Sequence, residues 1–189
     1  AHTGIIANNW VDLKTARDDK TVYCVEDEAA PGSSSDNYVV SPQHLMVPTL
    51  GERMKAADPR TRLVSVSGKD RAALMMAGHN PDEIWYWGGK SFVTLPGRTG
   101  MPAVVDRANK AIADEIAQAQ PALTLPPVCA AKDRAIDVGG GKTVGTGRFA
   151  RAAGDGKAFR ASPEFDGAVL ALAAGLVQDM KLGKGDAPD

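Results

Sequence analysis

The chain has 189 residues, 43% of them hydrophobic and 24% charged, with a formal net charge of -1. That is the length of one globular domain with a sizeable core, and the charge gives no electrostatic ground for a nucleic-acid or anionic-membrane partner. No apolar run is long enough to span a bilayer, residues 168–177 being the longest candidate.

Residues 1–12 (AHTGIIANNWVD) place a glycine and an apolar pair before Asn8 and Asn9, a short strand or turn entering a polar loop. An asparagine amide donates to a phosphate oxygen without adding charge, and asparagine is equally a turn residue. Residues 13–20 are charged and expected at the surface, and residues 21–25 (TVYCV) predict an edge or hairpin strand. Residues 26–38, acidic and then rich in Pro, Gly and Ser, predict a loop. Ser41-Pro42 reads as a cap ahead of an amphipathic helix over 50–57, which Asp58-Pro59 stops.

Residues 62–79 (RLVSVSGKDRAALMMAGH) are the most informative stretch. Val64 and Val66 suit a buried strand, Ser65, Ser67 and Gly68 end it, and residues 72–77 are strong helix formers. Lys69, Asp70 and Arg71 are thereby expected in a loop at the carboxyl end of a strand, where open α/β sheets take their ligands. In an extended segment Lys69 and Arg71 share a face and could reach one phosphoryl group, with Asp70 turned inward to hold the loop. A solvated turn in which Asp70 pairs with a neighbour is the plainer reading of the same triplet.

Residues 84–95 (IWYWGGKSFVTL) predict a separate β-hairpin about Gly88-Gly89, with Trp85, Tyr86 and Trp87 as packing residues. Residues 102–119 carry Val104, Val105, Ala108, Ile112 and Ile116 near one helical face, with Pro102 at the first turn. Periodicity fails from 121 to 160, where loops with at most short strands are expected. Ser162-Pro163 then caps a helix to about residue 181, with Phe165, Val169, Leu172 and Leu176 at core spacing and Leu182-Gly183 as its stop. The alternation of strand and helix patterns predicts a layered α/β fold.

Several apparent motifs lack their chemistry. Gly139-Gly140-Gly141-Lys142-Thr143 invites a phosphate-loop reading, but Ile136 stands where that motif needs its first glycine, so a flexible turn is expected. His2, His44 and His79 are scattered without metal-ligand spacing, and His79 is expected to cap or complement a helix end. Thr3, beside His2, has no preceding strand to hold it as a nucleophile. Cys24 and Cys129 make no metal framework, and their spacing leaves a disulfide and two separate thiols both open. The residues alone therefore nominate no catalytic side chain and no metal ligand.

In order along the chain, AHTGIIANNWVD, VYCVED, SPQHLMVPTLGERMKAADPRTRLVSVSGKDRAALMMAGH, WYWGGKSFVT and SPEFDGAVLALAAGLV resemble the type I phosphodiesterase/nucleotide pyrophosphatase branch of the alkaline phosphatase superfamily. More narrowly they are similar to bacterial alkaline phosphatases that carry a KDR loop. The SxKDRxAxxxAGH run is the most specific part, and the resemblance is weakest over 121–160. It implies an α/β/α sandwich of the alkaline phosphatase type, partial here, with a hairpin insertion at 84–95 and a loop-rich segment at 121–160. In the full-length enzyme it implies two zinc ions, a threonine nucleophile that carries the phosphoryl group, and hydrolysis of phosphate monoesters. Asn8, Lys69 and Arg71 match the family's phosphate-binding residues, and the family's location is periplasmic or secreted.

Thr3 separates His2 from Gly4, where the family reads HG directly. The nucleophile's stretch would precede residue 1, and the SxxDxxGH metal motif would follow residue 189. The chain is accordingly expected to be an internal segment, one incomplete domain over 1–189, without a tight zinc site or phosphatase activity of its own. Its expected partners are a phosphate ester and the remainder of the same polypeptide, not nucleic acid or membrane. A nucleotide pyrophosphatase acting on diesters and a non-catalytic anion-binding accessory domain are the alternatives.

Overall fold

A computed structural model describes residues 2–146 and 148–189. The elements run β1 (Asn9–Val11), β2 (Thr21–Tyr23), α1 (Leu50–Ala57), β3 (Val64–Ser67), α2 (Asp70–Ala77), β4 (Glu83–Trp87) and β5 (Phe92–Val93). There follow α3 (Ala103–Ala117), α4 (Pro127–Ala130), β6 (Ile136–Asp137), β7 (Thr143–Val144), α5 (Gly156–Arg160) and α6 (Pro163–Asp179).

The main sheet has the order β3-β4-β5. β3 and β4 are parallel, with Val64 opposite Glu83 and Ser67 opposite Tyr86, so α2 is the crossover that parallel neighbours require. β5 returns antiparallel to β4, with Trp87 opposite Phe92. The 84–95 hairpin is therefore not separate from the sheet, as its sequence suggested, but supplies the middle strand. The reason lies in β4 itself, where side chains from Ile84 to Trp87 are buried and both faces need cover.

Alternation along β4 divides the interior in two. Trp85 and Trp87 pack with Phe92, Val105, Phe159, Phe165, Leu172 and Leu176 beneath α3, α5 and α6. Ile84 and Tyr86 face the other way, with Ala73, Leu74 and Ala77 of α2 and with Tyr23, Cys24 and Val25 around the end of β2. Helices thus cover both faces of the sheet, the layered α/β/α arrangement expected. Ser65, on the α2 face of β3, donates its hydroxyl to the Ala73 carbonyl at 2.9 Å and ties helix to strand.

Helix α1 is capped by Thr49, whose side chain accepts from the Glu52 backbone while the Glu52 carboxylate accepts from the Thr49 backbone. Ser41-Pro42 lies too far upstream to be its cap. Gly78 ends α2 at φ 73°, a left-handed backbone that favours glycine, and a Cβ there would displace the Glu52 carboxylate. Val104, Val105 and Ile112 of α3, and Phe165, Leu172 and Leu176 of α6, are the buried residues that their spacing predicted.

Between 121 and 160 the short β6–β7 pair occurs as expected, but α4 and α5 are helical turns that the sequence did not signal. Asp155 starts α5 by accepting from the Lys157 and Ala158 backbones. Cys24 is buried and Cys129 exposed, both as free thiols.

The double burial of β4 yields a test. Trp85 is 2% exposed, and Trp85→Ala should lower the unfolding free energy by about 3–5 kcal/mol in urea denaturation. A loss below about 1 kcal/mol would show that β4 is not the centre of the fold.

Candidate functional site

The site is built where β3 gives way to α2. β3 ends at Ser67, Gly68 follows, and Lys69 is the N-cap of α2 with an extended backbone at φ -141°, ψ 133°. Asp70 and Arg71 are the first two helical residues, so the triplet is not the extended loop its sequence suggested. The structural reason is that Asp70 opens the helix itself, its carboxylate accepting from the Arg71 backbone at 2.7 Å. Gly68 is needed beside the core, since a Cβ there would lie 2.5 Å from the Phe165 ring.

Asp70 is 5% exposed and points inward, as expected of it. One carboxylate oxygen accepts from the Tyr23 hydroxyl at 2.8 Å, and the other accepts from the Tyr38 hydroxyl at 2.6 Å. The Lys69 ammonium lies 3.1 Å from the oxygen that Tyr23 shares. Burial raises the Asp70 carboxyl, but donation from Tyr38, the Arg71 backbone and Tyr23 outweighs it and holds the group below its ordinary value. Burial also raises both phenols, and the adjacent Asp70 carboxylate raises them further.

Lys69 and Arg71 converge on Tyr23 although they belong to different local conformations. The Lys69 ammonium is 5.3 Å from the Tyr23 ring centroid, and Arg71 donates from Nη1 to the Tyr23 hydroxyl oxygen at 3.3 Å. The half-buried Arg71 guanidinium has no carboxylate within salt-bridge distance among the described residues. Asn8 is exposed in the bend just before β1, its carbonyl accepting from the Cys24 backbone at 2.9 Å, while Asn9 stands opposite Tyr23. The structure thus brings Lys69 and Arg71 together at Tyr23, while among the described residues no hydrogen bond joins the Asn8 side chain to either of them.

The remaining candidates fall into structural roles. The Gly139–Thr143 stretch is the exposed turn of the β6–β7 pair, with Gly139 donating to Asp137. His79 directly follows Gly78, the C-cap of α2, and contacts Glu52 at 3.0 Å through Nδ1. Thr3 is exposed and donates to the Ile5 carbonyl, and His2 is exposed. Among the described residues no three His, Cys, Asp or Glu side chains stand together as a metal site. The described residues therefore offer no zinc ligand set. Tyr23 and Tyr38 were not signalled by the sequence. They lie 47 and 32 positions from Asp70 and follow no motif spacing.

The depressed Asp70 carboxyl sets a pH dependence. Its folded value lies below its unfolded one, so its stabilisation is complete above the ordinary carboxylate range, near pH ~4, and fades as pH falls through the folded value. Asp70→Asn should cost about 2 kcal/mol at neutral pH, with the gap to wild type closing in acid. Urea denaturation across that range measures it, and a gap constant with pH would exclude the linkage.

No protein-family model matches the chain. Over 185 residues it is 55% identical to alkaline phosphatase PhoK of a Sphingomonas species, covering 97% of this chain and 33% of that protein. It is 45% identical over 192 residues to alkaline phosphatase PhoD of Zymomonas mobilis subsp. mobilis, covering 100% of this chain and again 33% of the relative. The crystal structure of wild-type alkaline phosphatase PafA shares the fold with a TM-score of 0.68 at 23% identity, over 97% of this chain and 38% of that one. The chain thus spans about a third of the length of the curated relatives it matches. Its sequence relatives and its matched fold are alike alkaline phosphatases, and it is to a third of their length that this chain is similar.

Proposed function

We propose that this chain is the phosphate-holding part of an alkaline phosphatase acting on phosphate monoesters, with Lys69, Arg71 and Asn8 stabilising the outer oxygens of the transferring phosphoryl group. The observation that carries this reading is the convergence of Lys69 and Arg71 on Tyr23 above a carboxylate that faces inward. A second support is a crystallised variant of PafA with a threonine changed to serine and an asparagine, a lysine and an arginine changed to alanine. There the lysine and arginine are two positions apart, like Lys69 and Arg71, and the asparagine precedes them by nearly the interval from Asn8 to Lys69.

The chemistry follows from charge. A monoester keeps a terminal oxygen that a diester covers with its second ester group, and that oxygen gains most from a point charge and a planar fork together. Electrostatic stabilisation of this kind acts on charge at the transferring group and is strongest in a desolvated site. Arg71 is suited to bind two oxygens side by side, Lys69 to neutralise one, and Asn8 to donate an amide hydrogen without adding charge. The family resemblance adds a threonine phosphoryl acceptor and two zinc ions in the full-length enzyme, and a periplasmic or secreted location. This chain's own residues bind and orient the anion.

The test uses the polypeptide that carries this chain within the full length of its relatives. Arg71→Ala should lower kcat/KM on a monoester more than on a matched diester, by about 2–4 kcal/mol of transition-state stabilisation. Lys69→Ala should act in the same direction, and the double variant should be less than additive if both hold one set of oxygens. Equal losses on both substrates with an intact fold would favour a diesterase, and unchanged turnover would leave the triplet a solvated turn.

A further inference from the structure

We propose that Tyr23 and Tyr38 are positioning residues of the anion site, donating to both oxygens of Asp70 so that the carboxylate stays satisfied when Lys69 turns from it to the ligand beside Arg71. The proposal rests on the reading of Lys69 and Arg71 as anion-binding residues. Its starting point is a conflict in the sequence itself: a carboxylate stands between the two cations that must be free to take a phosphate. Unlike charges about 3 Å apart at a buried carboxylate attract strongly, and an Asp70 short of donors would hold Lys69 as its partner.

The geometry relieves that conflict. Besides Lys69, Asp70 accepts three donors: the Tyr38 hydroxyl at 2.6 Å on one oxygen, and the Tyr23 hydroxyl at 2.8 Å and the Arg71 backbone at 2.7 Å on the other. Both oxygens therefore stay satisfied when Lys69 leaves, and its departure uncovers no buried acceptor without a partner. The Tyr23 hydroxyl gives its hydrogen to Asp70 and offers a lone pair to Arg71 at 3.3 Å, a long contact that aims the guanidinium without binding it tightly.

The Tyr23 ring lies under the Lys69 ammonium at 5.3 Å, which marks a path from Asp70 towards the surface. The two phenol rings pack 4.5 Å apart, centroid to centroid, so each holds the other's hydroxyl in place. Burial and the Asp70 charge raise both phenols, which keeps them protonated as donors into the alkaline range.

The chain itself provides the test. Lysine acylation by a small amine reagent is followed by mass spectrometry in wild type, Tyr38→Phe and Tyr23→Phe, with Lys142 on the exposed β6–β7 turn as internal reference. Tyr38→Phe should slow labelling of Lys69 about threefold or more relative to Lys142, because Asp70 then leans on the ammonium. In an Asp70→Asn background the same substitution should change nothing. A merely structural role predicts the opposite sign, since loosened packing speeds labelling. Tyr23→Phe should slow Lys69 likewise and speed modification of Arg71 by phenylglyoxal, and it decides the matter if Tyr38→Phe does not give a cooperative melt.

Lys69 labelling unchanged or faster in folded variants overturns the proposal. Inorganic phosphate added to wild type should protect Lys69 and Arg71 against both reagents. Protection without the variant effect keeps the anion reading and removes the positioning role. The variant effect without protection removes the anion reading alone.

Discussion

Burial of β4 on both faces is the constraint from which the rest of this structure follows. A strand carrying Ile84, Trp85, Tyr86 and Trp87 in succession has no face to give to water, and its two-residue alternation sends the tryptophans one way and Ile84 and Tyr86 the other. Each face needs its own cover, which α3 and α6 provide on one side and α2 with the end of β2 on the other. Parallel pairing with β3 then requires a crossover, and α2 is both that crossover and the cover. The N-terminus of α2 is thereby fixed at the carboxyl end of β3, which places Lys69, Asp70 and Arg71 at the rim of the sheet. The same layer that buries Tyr86 also buries Tyr23, so the packing of the sheet delivers a phenol to the Asp70 carboxylate.

Burying a charge is costly unless donors replace the lost water, and Asp70 has three of them besides its ion pair. Two are tyrosines from the segment before α1, and the third is the helix's own first turn, where the macrodipole also favours a negative group. Asp70 thus ties the N-terminal ribbon to the central sheet. The cations on either side of it have no such duty. Lys69 keeps 37% of its side chain exposed, and among the described residues the Arg71 guanidinium reaches a phenol oxygen and no carboxylate.

The local elements were legible because each had a short-range cause. β3 showed in its alternating valines, α3 and α6 in the spacing of Val104, Val105 and Ile112 and of Phe165, Leu172 and Leu176, and the end of α1 in Asp58-Pro59. What depended on distant parts of the chain was not legible. Nothing within 84–95 says that its first strand pairs with residues 64–67, and nothing near Tyr23 or Tyr38 says that both will meet Asp70. The start of α2 was misplaced by two residues, because Asp70 and Arg71 look like turn residues until the carboxylate is seen accepting from the next backbone amide. Thr49 with Glu52 is a readable capping box, and it starts α1 in place of the more distant Ser41-Pro42.

Placing the triplet at the start of a helix, and not in a free loop, alters what it can do. In a loop, Asp70 would be free to follow either neighbour, and a charged triplet would neutralise itself in water. At the helix start its direction is set by the backbone it caps and by two phenols, so the carboxylate faces inward with Lys69 beside it while the Arg71 guanidinium is left to a phenol oxygen. A chain with a net charge of -1 can in this way present a locally positive rim. The tyrosines stand at the boundary between the two, each giving its proton inward, and Tyr23 turns its oxygen and ring towards the cations. On the proposed role of Lys69 and Arg71, anion binding and fold stability fall to different groups of the same three-residue stretch, and a ligand drawing on those cations would leave in place the contact that holds the ribbon to the sheet.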